Sequence, residues 1–187
     1  MPTATGTNIR TGSLSGAPRF RSTLPGVPRW AELAALGAVL TNVPSGLWRL
    51  AIAVGIPVGI AQSEYDQMDA PGWGSVYLVV LSLIAEFFAL LTWGLIRSWG
   101  ETWPRFIPFL GGRQVPVLVA TSLATAGAAA TTVYGVMFAY TSFHADMDSS
   151  TWGMWLLNIT YAPLVLWGPL LGAVTVHYYR RRTRAAS

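Results

Sequence analysis

Cysteine is absent from the 187 residues, which excludes disulfides, thiol redox chemistry, cysteine-ligated zinc and iron–sulfur clusters. Charge is sparse: 11% of the residues are charged, against about 25% in a soluble domain. Lysine is missing, so all 12 basic residues are arginine. No Walker loop, H-E-x-x-H or G-x-S-x-G sequence occurs. An enzyme is therefore disfavoured, and no cofactor is expected. A net charge of +4 raises the question of nucleic acid, but the arginines flank apolar blocks and no basic recognition helix is present. Nucleic acid is not an expected partner.

What is present is apolar sequence, 52% of the chain, gathered into four long blocks. A bilayer span needs about 20 apolar residues. The expected fold is all-α: a polytopic membrane protein built as an antiparallel bundle of four transmembrane helices. Residues 1–30, rich in Ser, Thr, Gly, Pro and Arg without an apolar face, are expected to be a disordered tail. The transmembrane domain is expected over 31–179, with spans at about 42–61, 75–96, 115–140 and 152–178, and a basic tail at 180–187. The first block is too long for one straight span, and Pro44 and Pro57 interrupt it. A break is expected near Pro44, with the spanning part after it.

Arginine placement predicts orientation. Arg10, Arg19, Arg21 and Arg29 precede the first span, Arg97, Arg105 and Arg113 lie between the second and third, and Arg180, Arg181, Arg182 and Arg184 follow the fourth. The other two connections hold no arginine but carry Glu64, Asp66, Asp69, Asp146 and Asp148. Arginine bias toward the cytoplasm predicts a multi-pass plasma-membrane protein with both termini inside.

Two ionisable residues fall within spans: Arg49 in "SGLWRLAIAVGIPVGIAQ" and Glu86 in "LSLIAEFFALL". Each costs about 2.5–3.5 kcal/mol at a helix centre on insertion scales. With a rise of about 1.5 Å per residue, Arg49 is expected roughly 10 Å and Glu86 roughly 15 Å from the inner face. Helical spacing places Ser45 beside Arg49 and Ser82 beside Glu86, and Thr125 falls at a similar depth. These five residues define an expected polar layer in the cytoplasmic half, with Arg49 and Glu86 paired at its centre. Such a pair either fixes helix register or lines a site for an ion, proton or small ligand; alternatively Arg49 snorkels to the surface.

Small residues recur at four-residue spacing in the third span, with Ala120, Ala124 and Ala128 on one row and Gly127, Thr131 and Gly135 on another. Gly55-x-x-x-Gly59 and Gly168-x-x-x-Gly172 repeat the theme. Small residues permit close helix approach, within the bundle or toward a homodimer or other membrane-protein partner. In the loop "RSWGETWPRFIPFLGGRQVP", Arg97, Arg105 and Arg113 are placed to meet phosphates of an anionic inner leaflet or a partner. His144, Asp146 and Asp148 form a weak metal candidate that reads better as a solvated acidic loop. His144 and His177 lie at opposite span ends and cannot clasp one haem.

The stretches "WGETWPRFIPFLGGRQVP" and "GLWRLAIAVGIPVG" resemble a group of uncharacterised actinobacterial multi-span membrane proteins, in which a W-G-E-x-x-P-R-x-x-P-x-L-G-G-R-x-V-P loop joins two spans. The resemblance covers residues 30–120 and implies four or more helices and a plasma membrane location. It implies no activity. The expected function is that of a membrane accessory or interaction protein; the alternative is a small transporter or channel-like protein using the Arg49/Glu86 layer.

Overall fold

The computed structural model describes residue 24 and residues 26–103, 108–109, 111–144 and 151–184. Among these the chain is all-helical, apart from one isolated bridge between Thr102 and Gln114. The helices are α1 (Arg29–Leu40), α2 (Val43–Ala53), α3 (Gln62–Gln67), α4 (Trp73–Gly94), α5 (Val117–His144), α6 (Thr151–Tyr161) and α7 (Trp167–Arg184). Short 3-10 turns occupy Ser98–Glu101 and Ala162–Leu166. Three helical stretches are long and apolar enough to cross a membrane: Trp73–Gly94, Val117–His144 and Trp152–Arg184.

The first apolar block differs from expectation. Its helix begins at Arg29 and ends at Ala53, so residues 54–61, expected to complete the first span, are not helical. The end at Ala53 is set by Gly55, which takes a left-handed conformation at φ +95°. Gly55 N–H donates to Ile52 O at 3.0 Å and Ile56 N–H to Ala51 O at 2.9 Å. This pair of bonds is the Schellman stop, which needs glycine at the left-handed position. Gly55 and Gly59 thus belong to a loop, not to a helix-packing motif; Gly59 is also left-handed, at φ +77°.

The interruption between α1 and α2 falls at Thr41–Asn42. Pro44 carries no N–H for the Leu40 carbonyl, so the ladder cannot run through. Side chains take up the slack: Thr41 Oγ1 and Asn42 Nδ2 both donate to Ala38 O, at 2.8 and 3.2 Å. The fourth block is also interrupted: Pro163 lies in the 3-10 turn and Pro169 in the first turn of α7. The basic segment from Arg180 to Arg184, expected as a tail, continues α7.

Packing partners define the arrangement. Helix α4 lies against α1 and α2, while α5 lies against α7 and the 3-10 turn before it. The two interrupted stretches meet each other, α1 on α7 and α2 on α6. Paired contacts show antiparallel runs: Ser75 Oγ donates to Ala53 O and Arg49 Nε to Ser82 Oγ, and Trp30 meets His177 edge to face.

The contact of α5 with α7 and the preceding 3-10 turn uses the small residues. A Cβ on Gly168 would collide with the Thr132 backbone, one on Gly135 would lie 2.9 Å from Val165 Cα, and Gly172 faces Ala128. Hydroxyls along these helices bond to the preceding turn: Thr121, Thr131, Thr132 and Thr175 each donate to the carbonyl four residues back. Such internal bonding leaves few polar groups in need of water. Outward faces are strongly apolar, as at Leu83, Phe87 and Phe88 on α4 and Leu123, Val133 and Met137 on α5.

The charges are separated between the two ends. At one end Arg181 meets Glu101 at 2.6 Å, Arg182 meets it at 3.6 Å, and Arg182 donates to Val115 O. The segment after α4 is thereby fastened to α7, and the bonds Trp103 N–H to Arg113 O and Val115 N–H to Glu101 O close it into a hairpin-like loop. At the other end lie the 54–61 loop and the acidic helix α3 with Glu64 and Asp66.

Candidate functional site

Helix α2 presents its polar stripe to α4. Asn42, Ser45 and Arg49 are all buried, with Arg49 only 6% exposed. Ser45 Oγ donates to Asn42 O at 3.0 Å, within its own helix. Arg49 Nε donates to Ser82 Oγ at 2.9 Å, and Ser82 in turn donates to Leu78 O at 2.8 Å. Glu86 stands one turn further along α4, half-buried, with Oε1 3.3 Å from where a Cβ on Gly46 would lie. Glycine at 46 makes room for this carboxyl against the α2 backbone.

Four of the five polar-layer residues therefore share the α2/α4 interface: Ser45, Arg49, Ser82 and Glu86. Arg49 and Glu86 do not approach within ion-pairing distance, however; Arg181 and Arg182 do so with Glu101. Thr125 is not part of the layer. It is exposed on α5, whose main packing partner is α7. The position along the helix also changes. Arg49 is one turn, or about 6 Å, from the end of α2, and Ala53 at that end bonds to Ser75 near the start of α4. The layer thus lies about the middle of α4: Ser82 is nine residues from its start at the acidic end, and Glu86 is eight from its finish at the arginine-rich end.

The other flank of Arg49 is aromatic. Tyr161, the last residue of α6, places its phenol within electrostatic and hydrogen-bonding reach of the guanidinium. Trp48 meets the Tyr161 ring edge to face at 5.5 Å, and Phe138 stacks on it at 5.6 Å. Trp48 Nε1 donates to Val58 O at 2.9 Å and ties the 54–61 loop over this end. Tyr161, Trp48 and Gly46 were not legible as site residues, because each acquires its role through contacts distant in sequence.

At the arginine-rich end, Arg97 lies over the Trp93 ring at 5.4 Å, and Arg113 is exposed with its carbonyl accepting from Trp103. Arg105 lies outside the described residues. Of the weak metal candidate, His144 stacks on Tyr140 at 4.2 Å and hydrogen-bonds its carbonyl through Nδ1; Asp146 and Asp148 lie outside the described residues. Among the described residues no cluster of metal-binding side chains occurs. No family model, curated protein or solved structure matches the chain.

Proposed function

We propose that the chain is a four-span integral membrane protein of the plasma membrane, with both termini cytoplasmic, that works as a non-enzymatic accessory or interaction protein. Three spans are the long apolar helices. The remaining span is α1 with α2, which from Arg29 to Ala53 reaches about 37 Å along α4, itself about 33 Å long. The arginine-bearing end faces the cytoplasm under the positive-inside rule.

The observation that carries the interaction reading is the outward face of α5. One side of this helix is occupied by α7, yet Ser122, Ala126 and Ala130 recur at four-residue spacing on an exposed side, next to Thr125. Small and hydroxyl-bearing residues let a further helix approach closely. Because the chain has no cysteine, Ala126→Cys provides a single crosslinking handle in native membranes. The expected result is a specific crosslink, to a second copy or to one other membrane protein, that Ala130→Leu suppresses. Crosslinking at background level, unaffected by Ala130→Leu, would remove the support for this reading.

A small transporter or channel-like protein is the second reading. It is favoured by the Arg49/Glu86 interface and by the interruptions in both central stretches, which resemble the broken helices that line transport sites. Reaction of Ser82→Cys with a small aqueous thiol reagent would favour it; complete protection would favour the accessory role.

A further inference from the structure

Among the described residues, Asn42 Oδ1 and Trp167 Nε1 are buried and lack a hydrogen-bond partner within the protein. The first can only accept and the second can only donate. Buried polar groups are as a rule satisfied, by protein or by ordered water. Asn42 is fully buried at the break between α1 and α2, and its Nδ2 is committed to Ala38 O at 3.2 Å. Trp167 opens α7, directly after the interruption in the fourth block.

Helix register brings the two groups to one level. Trp30 meets His177 and Gly37 faces Leu170, so α1 and α7 run antiparallel in step and Leu40 is level with Trp167. Long side chains lean toward the N-terminus of their own helix. The Trp167 indole therefore leans toward Asn42, while the Asn42 amide leans back toward Ala38, and the two overlap in height. Trp167 shares its face of α7 with Val174 and Tyr178, both fully buried. Helix α4 supplies a third group. Gly46 is level with Glu86 and Arg49 with Ser82, which sets Asn42 opposite Ala89 and within a turn of Thr92. Thr92 is buried, and its hydroxyl makes a long bond of 3.3 Å to Phe88 O, so its lone pairs can accept. The side chains flanking this level on α1 and α4, Ala38 and Ala89, are methyl groups.

We propose that Asn42, Thr92 and Trp167 hold a water molecule where the two interrupted stretches cross. The water accepts from Trp167 Nε1 and donates to Asn42 Oδ1 and Thr92 Oγ1, which matches the usual complement of a buried water. Ala89 lies five residues before the end of α4, so the site is inside the bundle. It is separate from the Arg49 layer, two turns away along α2.

The test is a double-mutant cycle on the full chain, read by SDS unfolding, together with a density map of the chain in nanodiscs that resolves ordered water. Asn42→Leu and Trp167→Phe each strand the other partners of the water. Each should raise the unfolding constant about 3- to 10-fold, the size of one hydrogen bond. The double variant should fall short of the product by a similar factor, because the second change removes a contact already lost. Thr92→Val with Trp167→Phe forms a second cycle that leaves the helix break untouched, so the test stands if Asn42→Leu does not fold. In the map, a peak within hydrogen-bonding distance of all three groups is expected. Additive effects in the measurable cycles overturn the proposal, and so does a gain in stability from Asn42→Leu. A map with Asn42 bonded directly to Trp167, or with no density between them, overturns it as well.

Discussion

Gly168→Ala offers the sharpest perturbation of the α5/α7 contact. The added Cβ would lie 2.6 Å from the Thr132 backbone nitrogen and 2.8 Å from Thr132 Cα. Ordinary contacts begin near 3.4 Å, so the two helices must separate by roughly 1 Å over at least a turn, since backbone cannot rotate aside as a side chain does. Overpacking of this kind costs about 1–3 kcal/mol, or roughly a 5- to 150-fold change in a folding equilibrium. Gly135→Ala, at 2.9 Å from Val165 Cα, should cost less. Gly172→Ala meets only Ala128 Cβ at 3.9 Å and should stay within about 0.5 kcal/mol of the parent. The assay is unfolding of detergent-solubilised protein with increasing SDS mole fraction, followed by tryptophan fluorescence. The expected order of midpoints is parent close to Gly172→Ala, then Gly135→Ala, then Gly168→Ala. Equal midpoints for Gly168→Ala and Gly172→Ala would refute the packing described.

Two further outcomes follow from named contacts. Glu101→Gln removes the carboxylate shared by Arg181 and Arg182; between the values for exposed and buried pairs, the loss should be about 1–2 kcal/mol. It should appear as faster tryptic cleavage after Arg113 in inside-out vesicles, and an unchanged rate would show that the latch does not order the loop. Gly46→Ala faces only the flexible end of Glu86, 3.3 Å away, and should cost under about 1 kcal/mol, whereas Gly46→Leu displaces the carboxyl and should cost about 1–3 kcal/mol in the same SDS titration. Indifference to leucine would mean that Glu86 does not occupy this niche.

The long apolar helices were legible because length and composition alone specify them, as in Trp73–Gly94 and Val117–His144. The first block was harder. Its apolar run continues past Ala53, and hydropathy cannot see a helix stop; the signal was Gly55 followed by Pro57, a pair typical of a helix C-terminus. Ending the helix at Ala53, eight residues earlier than expected, leaves Arg49 one turn from the end of α2. Ser45, Arg49, Ser82 and Glu86 were traceable because helical periodicity places each pair on one face. Thr125 was grouped with them by depth, but depth does not decide which helices are neighbours. The distance between Arg49 and Glu86 depends on register at Gly46, and Tyr161 reaches Arg49 from a helix more than 100 residues later. Neither relation leaves a trace in local sequence pattern.

The central claim is that the interrupted segment from Arg29 to Ala53 crosses the bilayer as a fourth span. Single-cysteine variants Ser13→Cys and Ser187→Cys, labelled with a membrane-impermeant maleimide, test it directly, with Gln67→Cys as the externally reactive control. Four crossings place both terminal cysteines inside, reactive only after permeabilisation. Labelling of one terminus, but not the other, in intact cells would mean three crossings and contradict the account.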